Sequence, residues 1–77
     1  MKHAVLPQKS DEWFRHLFRA RAALDGGVVR RKTRNMEAIV GRAAFEREIK
    51  RRGYTAVENA GQIIIFCNAE PVTVIVS

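Results

Sequence analysis

Gln62-Ile63-Ile64-Ile65-Phe66-Cys67 is the stretch that decides the fold, because it contains the longest apolar run in the chain. A run of five apolar residues has the length of a β-strand and falls far short of the roughly 20 residues that cross a bilayer. Alternate residues of an extended strand face opposite sides, so both faces of this strand are apolar. The stretch therefore predicts a central strand that is covered on both faces.

Turn signals flank this strand on both sides. Asn59-Ala60-Gly61 precedes it, after a short extended pattern over residues 54–58, and its Gly suits a positive φ. Asn68-Ala69-Glu70-Pro71 follows it and leads into a β-branched stretch over residues 72–76. Three strands joined by two short turns predict a three-stranded antiparallel meander at the C-terminal end of the sequence.

The two apolar faces of the central strand also bear on oligomeric state. Helices can cover one face of the predicted sheet. In a chain of 77 residues, the second face needs cover from loop or arm residues or from another copy of the chain. We therefore expect a homodimer that pairs or stacks its sheets.

The segment before the predicted meander carries two apolar sets that are out of phase. Met36 and Ile39 share one face at 100° per residue, whereas Phe45 and Ile49 lie on roughly the opposite side. One straight helix could not bury both sets against one core. Gly41 lies between them, and Gly disfavours a helix interior by about 1 kcal/mol relative to Ala. The sequence therefore predicts a bend at Gly41.

This bend divides the segment into a short helix near residues 34–40 and a second helix over residues 42–52. Two Glu-to-Lys or Glu-to-Arg pairs at i,i+4 support the second helix, and Gly53 is placed to end it. A short extended piece is expected to begin at Val28-Val29 and to run into the basic residues that follow.

Near the N-terminus, apolar residues at spacings of four, three and four predict an amphipathic helix that begins at Ser10 and ends before Asp25-Gly26-Gly27. These residues are Trp13, Leu17, Ala20 and Leu24. The aromatic residues of this helix are assigned to the core and not to base stacking. Residues 1–9 are expected to form an arm, and residues 10–77 a single domain.

The predicted fold class is therefore α+β: an N-terminal amphipathic helix, a short strand, a bent helix pair and a C-terminal three-stranded antiparallel β-meander. The alternative is a winged-helix-like fold, which has the same order of elements. In that alternative, the helix after Gly41 would enter the major groove of DNA and the β-hairpin would be the wing.

Basic residues are concentrated in the middle of the chain. Residues 30–52 contain nine Lys and Arg residues against three Glu residues, a local charge of 9 − 3 = +6 that equals the formal charge of the whole chain. The first 29 residues add +2 and the last 25 add −2. Such segregation is typical of a binding surface.

We expect seven of these basic residues to contact nucleic acid, mostly at phosphate groups. They lie on residues 30–34 and on the polar face of the helix over residues 42–52. The seven candidate residues are Arg30, Arg31, Lys32, Arg34, Arg42, Arg47 and Arg51. Helix-end electrostatics explain part of the second group, so residues 30–34 are the more informative part. DNA and RNA both remain open at this point.

Residues with catalytic or metal-binding chemistry are sparse. Cys67 lies on a predicted buried strand, and His16 lies on the flank of the first helix without a partner, so a ribonuclease-style base at His16 is the one catalytic option. One Cys and two His residues cannot build a four-ligand zinc site from the usual soft ligands. No phosphate-loop pattern occurs. We expect no metal and no cofactor.

Composition and the N-terminal residues bear on location. A single cysteine cannot form an intrachain disulfide, and residues 1–7 lack the apolar run of a signal peptide. We expect a cytoplasmic protein with no membrane association.

The sequence thus predicts a small, basic, non-enzymatic protein that associates with DNA or RNA, with a regulatory role as one option. The alternative is a homodimeric protein-interaction adaptor whose basic stripe docks an acidic partner. A mobility shift with nucleic acid at about 150 mM salt would favour the first, and co-purification with an acidic protein would favour the second.

Overall fold

A computed structural model describes the protein over residues 5–77, with side chains described from Lys9 onward. In chain order the elements are α1 (Val5–Phe18), α2 (Arg21–Leu24), β1 (Val28–Lys32), α3 (Thr33–Ile39), α4 (Arg42–Arg52), β2 (Thr55–Asn59) and β3 (Gln62–Phe66). Helices and a three-stranded antiparallel sheet together confirm the predicted α+β class.

The sheet has the strand order β1–β3–β2, so the apolar strand β3 lies at its centre. Ile65 lies opposite Val29 on β1 and opposite Ala56 on β2. The prediction that residues 72–76 form the third strand was wrong, because β1 occupies that place. Val29 is buried beside Ile65 in the core, and a strand whose two edges are both paired has no edge left for residues 72–76.

Helix α1 begins at Val5, five residues before the predicted start at Ser10. Pro7 is compatible with this earlier start, because the first turn of a helix has no intrahelical partner for the N–H group that Pro lacks. Ser10, the predicted start, lies inside α1, and its hydroxyl donates a hydrogen bond to the Ile39 carbonyl at 3.3 Å. Of the predicted arm over residues 1–9, residues 1–4 lie outside the described part of the chain.

The prediction of one continuous helix as far as Leu24 was also wrong. Ala20 is extended, with φ −59° and ψ 144°, and the chain resumes helical geometry only at Arg21. The interruption shifts the helical phase, so that Ala23 is buried and Leu24 is 69% exposed. A short second helix turns the chain toward the start of β1.

The bend at Gly41 is confirmed. Gly41 has a φ of +90° and separates α3 from α4. Because of this bend, Met36 on α3 and both Phe45 and Ile49 on α4 enter the same core despite their opposite helical phases. Gly53 ends α4 in the left-handed conformation, as predicted.

The core lies between the helices and one face of the sheet. Its most deeply buried side chains belong to α1, α3 and β3: Leu17, Met36 and Ile65. The ring of Trp13 on α1 packs edge-to-face on the ring of Phe45 on α4, with 6.2 Å between centroids. The aromatic residues of α1 pack against the core, as predicted.

Candidate nucleic-acid interface

Strand β1 places its three basic residues on two faces of the sheet. Arg30 and Lys32 are exposed on the face turned away from the core, whereas Arg31 is half-buried on the same side as Val29. The Arg31 side chain donates a hydrogen bond from Nη1 to the Arg30 carbonyl at 2.6 Å. Two of the three predicted contact residues of β1 therefore share one face.

The turn between β2 and β3 lies against the start of α3. The Thr33 N–H group donates a hydrogen bond to the Gly61 carbonyl at 2.9 Å, and Arg34 follows, exposed, in the first turn of α3. Lys32 and Arg34 therefore flank the tip of the hairpin, although the tip itself is uncharged.

A shallow depression of about 390 Å³ lies at this corner. Its lining comes from the basic residues of β1 and from the turn that follows β2: Arg30, Arg31, Lys32, Ala60, Gly61 and Gln62. The walls carry three positively charged side chains and no acidic one, a combination suited to an anionic group such as a phosphate.

Arg42, at the start of α4, is occupied by two carboxylates. Its Nη2 atom lies 2.8 Å from Oε2 of Glu37 and 3.1 Å from Oε1 of Glu58. The hydrogen bond to Glu37 and then that to Glu58 raise the pKa of Arg42 above its ordinary value. Because two glutamates surround it, Arg42 contributes less net positive charge to the surface than the sequence suggests.

Arg51 is likewise paired, with Glu48 at 2.7 Å, and Arg52 lies 2.7 Å from the same carboxylate. The hydrogen bond from Arg51 is the largest cause that lowers the pKa of Glu48. Arg52 also stacks its guanidinium over the Phe18 ring, with Cζ 3.9 Å from the ring centre. This end of α4 is thus a structural ion-pair cluster.

Unlike Arg42 and Arg51, Arg47 makes no ion pair among the described residues. It lies on the side of α4 opposite Phe45 and Ile49. The residues on this exposed side are Ala43, Glu46, Arg47 and Lys50. Of these four, only Arg47 was predicted as a site residue, although the helical spacing of 43, 46, 47 and 50 already indicated a common side.

The seven predicted residues therefore form two groups. The first lies at the corner of β1 and α3, and the second lies on α4, which packs on β2. Since β3 separates β1 from β2, the two outer strands are about 10 Å apart. Of the second group, Arg42 lies at the end of the sheet with the hairpin turn, because it contacts Glu58. Arg51 lies near the end of α4, which leads into the start of β2 at the opposite end of the sheet.

Other chemistry is confined to isolated residues. Cys67 is buried, and this burial raises the pKa of its thiol. His16 is exposed on α1, beside Trp13 and Ile39. Within residues 5–77 there is no group of three or more potential metal ligands. None of the helices described here is both long and apolar enough to cross a membrane.

Comparisons of the chain with protein-family models, with curated proteins and with solved structures find no match.

Proposed function

We propose that this protein is a non-enzymatic DNA-binding protein that inserts α4 into the major groove of duplex DNA. The observation that carries the proposal is the helix pair α3–α4, bent at Gly41, with a basic exposed side on its second helix. A helix-turn-helix presents its second helix in the same way, and the major groove is about 12 Å wide, enough to admit one helix.

The arrangement of the sheet supports a winged-helix-like reading of this pair. The hairpin β2–β3 follows α4 directly, and β1, which precedes α3, pairs with β3. Helix, strand, helix pair and hairpin thus occur in the order expected for a winged helix. The analogy is one of fold and supplies no residue roles by itself.

The residue types on α4 supply the chemistry for reading base edges. Arg47 can donate two hydrogen bonds to guanine O6 and N7, and Glu46 can accept a hydrogen bond from cytosine N4. Ala43 is small enough to contact a thymine methyl group. Lys50 extends the exposed side by one further turn of the helix.

Base contacts from α4 are complemented by phosphate contacts from the corner of β1 and α3. Arg30, Lys32 and Arg34 are exposed there, next to the hairpin tip. Phosphate contacts position a protein on DNA without selecting a sequence. In a winged helix, contacts to phosphate can come from the wing. Here the turn over residues 59–61 is short and uncharged, so we assign these contacts to the adjacent residues Arg30, Lys32 and Arg34.

The test is fluorescence anisotropy with a mixed-sequence 20-base-pair duplex between 50 and 200 mM salt. Each phosphate contact contributes about −0.9 to the slope of log affinity against log salt. Replacing Lys32→Gln and Arg34→Gln together should therefore make the slope about 1.8 less steep. The matched control, Arg19→Gln with Arg21→Gln, removes the same charge near the opposite end of β1 and should leave the slope unchanged.

A second variant addresses α4. Arg47→Gln should weaken binding at least 10-fold on a selected sequence, and by less on random DNA, because a base contact adds about 1–3 kcal/mol of discrimination. Equal loss in the control and in the site variants would contradict the proposal. If structured RNA binds 10-fold more tightly than the duplex, the ligand is RNA and not DNA. Retention on an acidic polypeptide alone would favour the adaptor function.

Under this proposal the protein works in the cytoplasm as a regulator of the DNA that it binds. A reduced, buried Cys67 is in keeping with that compartment.

A further inference from the structure

Residues 72–76 form an exposed apolar segment that pairs with nothing in its own sheet. The sequence Val-Thr-Val-Ile-Val is β-branched throughout, which favours extended structure. Yet the segment belongs to no strand or helix, and Val74, Ile75 and Val76 are 71%, 92% and 88% exposed. Pairing this segment with an edge strand and burying its side chains on an apolar surface would lower the free energy of the protein.

The segment pairs with neither outer strand of its own sheet. Both β1 and β2 run antiparallel to β3, so a strand that turned back after β3 would run parallel to them. Parallel pairing is slightly less stable per residue than antiparallel pairing. An open edge of another chain can receive the segment in the antiparallel direction, without the constraint of the five residues 67–71 that connect it to β3.

The hydrogen bonds of β3 show which backbone groups of β2 face outward. Cys67 donates to the Gly27 carbonyl and Gly61 accepts from Thr33, so odd-numbered residues of β3 bond toward β1. The even-numbered residues then bond toward β2, where their register partners are residues 55, 57 and 59. By the alternation of an antiparallel ladder, Ala56 and Glu58 direct their N–H and C=O groups to the open edge.

The other open edge, on β1, is protected against pairing. By the same alternation Arg30 directs its carbonyl outward, and the Arg31 side chain already donates to that carbonyl at 2.6 Å. Arg30 and Lys32 also place two positive charges along this edge, a common device against edge-to-edge pairing. The edge of β2 carries no Lys, Arg or Pro, and its one charged residue, Glu58, is paired with Arg42.

An apolar groove accompanies the open edge of β2. It lies between this strand and α4 and encloses about 400 Å³. Phe45 and Ile49 of α4 line it together with Ala56 and Val57 of β2. Four charged residues also line it: Arg42, Glu46, Lys50 and Glu58. Docking a strand here would combine backbone pairing with side-chain burial, as in other cases where a peptide extends a sheet. Arg47 faces the opposite side of α4, toward α1, and would stay accessible.

We propose that residues 72–76 of one chain add as a strand to the β2 edge of a second copy, and that two chains exchange these segments reciprocally. Val72, Val74 and Val76 would enter the groove beside α4. An aliphatic side chain removes roughly 60–120 Å² from water, so two reciprocal segments and their receiving surfaces would bury on the order of 1,000 Å². That area lies at the lower bound for a specific protein interface, about 1,000 Å². The inference does not rest on the proposed function, but Glu46 and Lys50 line the same groove, so a docked strand would cover part of the side of α4 that is proposed to face DNA.

Sedimentation equilibrium of the full chain between 1 and 100 μM provides the first test. We expect a dimer, and we expect Val74→Asp to raise the dimer dissociation constant at least 100-fold while the far-ultraviolet circular dichroism stays unchanged. Thr73→Asp adds the same charge on the other face of the segment and should shift the constant far less. A wild-type monomer at 100 μM, or a dimer that is indifferent to Val74→Asp, would overturn the proposal.

Backbone hydrogen exchange measured by NMR locates the receiving edge. The amides of Ala56 and Glu58 should exchange at least 10-fold more slowly in the wild-type dimer than in monomeric Val74→Asp. Protection at Arg30 and Lys32 instead would reject the β2 edge. Growth into species larger than a dimer would reject reciprocal exchange in favour of an open chain of copies.

Discussion

Arg42 donates a hydrogen bond from Nη2 to Oε1 of Glu58 across 3.1 Å, and this contact ties the start of α4 to the edge strand β2. The same nitrogen donates to Glu37 on α3 at 2.8 Å. One guanidinium thus joins three elements at the end of the molecule where nucleic acid is proposed to bind. The charge of Arg42 is therefore partly neutralised within the protein and is less available to a ligand.

Replacing Glu58→Gln should release part of that charge. We expect a slightly lower melting temperature, because one charge-assisted contact is lost, and a two- to three-fold tighter complex with duplex DNA. Glu70→Gln removes the same charge from an exposed turn and should leave affinity unchanged. Anisotropy titrations at 100 mM salt measure both. Weaker binding by Glu58→Gln would mean that the ion pair itself shapes the binding surface.

Substitution of Gly41 should destabilise the fold more than substitution of Gly53 does. Gly41 has φ +90° and ψ 147°, a region that is open essentially to Gly alone, whereas Gly53 has φ 74° and ψ 21°, which Asn also adopts. An added Cβ meets no atom within 4 Å at either site, so the cost is one of backbone conformation. We expect Gly41→Ala to lower the free energy of unfolding by about 1–3 kcal/mol and Gly53→Asn by about 0.5 kcal/mol.

Urea unfolding followed by circular dichroism compares these two variants. Equal losses of stability would show that the bend between α3 and α4 does not depend on the positive φ of Gly41. Because the bend also sets the orientation of α4, Gly41→Ala should weaken DNA binding even at temperatures where the variant is folded.

Because of Glu48, the free energy of unfolding should depend measurably on pH in the acid range. The Glu48 side chain is 18% exposed and contacts Arg51 and Arg52, and the hydrogen bond from Arg51 does most to hold its pKa below the ordinary value of 4.5. Stabilisation from a lowered pKa is fully present above that ordinary value and is lost as the pH falls through the folded-state pKa.

Glu48→Gln should therefore lower the free energy of unfolding by about 1 kcal/mol at pH 7, and the difference from wild type should shrink as the pH falls below 4.5. Glu46→Gln, on the exposed side of the same helix, should change stability by less than about 0.5 kcal/mol. Urea midpoints between pH 3 and pH 7 measure both. A constant difference across that range would contradict a role for the carboxylate charge.

Cys67 should react slowly with thiol reagents in the folded protein. Its side chain is 3% exposed, and burial raises its pKa, so both access and thiolate concentration are reduced. We expect iodoacetamide to label native protein at least 100-fold more slowly than protein in 6 M urea, as followed by mass spectrometry. Gly41→Ala should accelerate labelling of the native state, since a less stable fold opens more often. Equal rates in buffer and in urea would show that Cys67 is accessible.

Local sequence patterns determined most of the secondary structure. The continuous apolar run over residues 63–67, the turn over residues 59–61 and the opposed phases of Met36 and Phe45 each depend on side chains and backbone preferences within a few residues. Their predictions, including the bend at Gly41 and the end of α4 at Gly53, are confirmed. The exceptions are the start of α1, which lies at Val5 and not at Ser10, and Ala20, because nothing local marks it as the residue at which α1 and α2 separate.

Strand pairing and ion pairing were decided by tertiary structure. The sequence offered two partners for β3 besides β2, and β1 was selected because Val29 completes the core, which left residues 72–76 exposed. Nor could spacing show that Arg42 meets Glu58, since 16 residues separate them. The basic residues were countable from the sequence, but their available charge depends on which carboxylates the fold brings within hydrogen-bonding distance, and that is a long-range property of the chain.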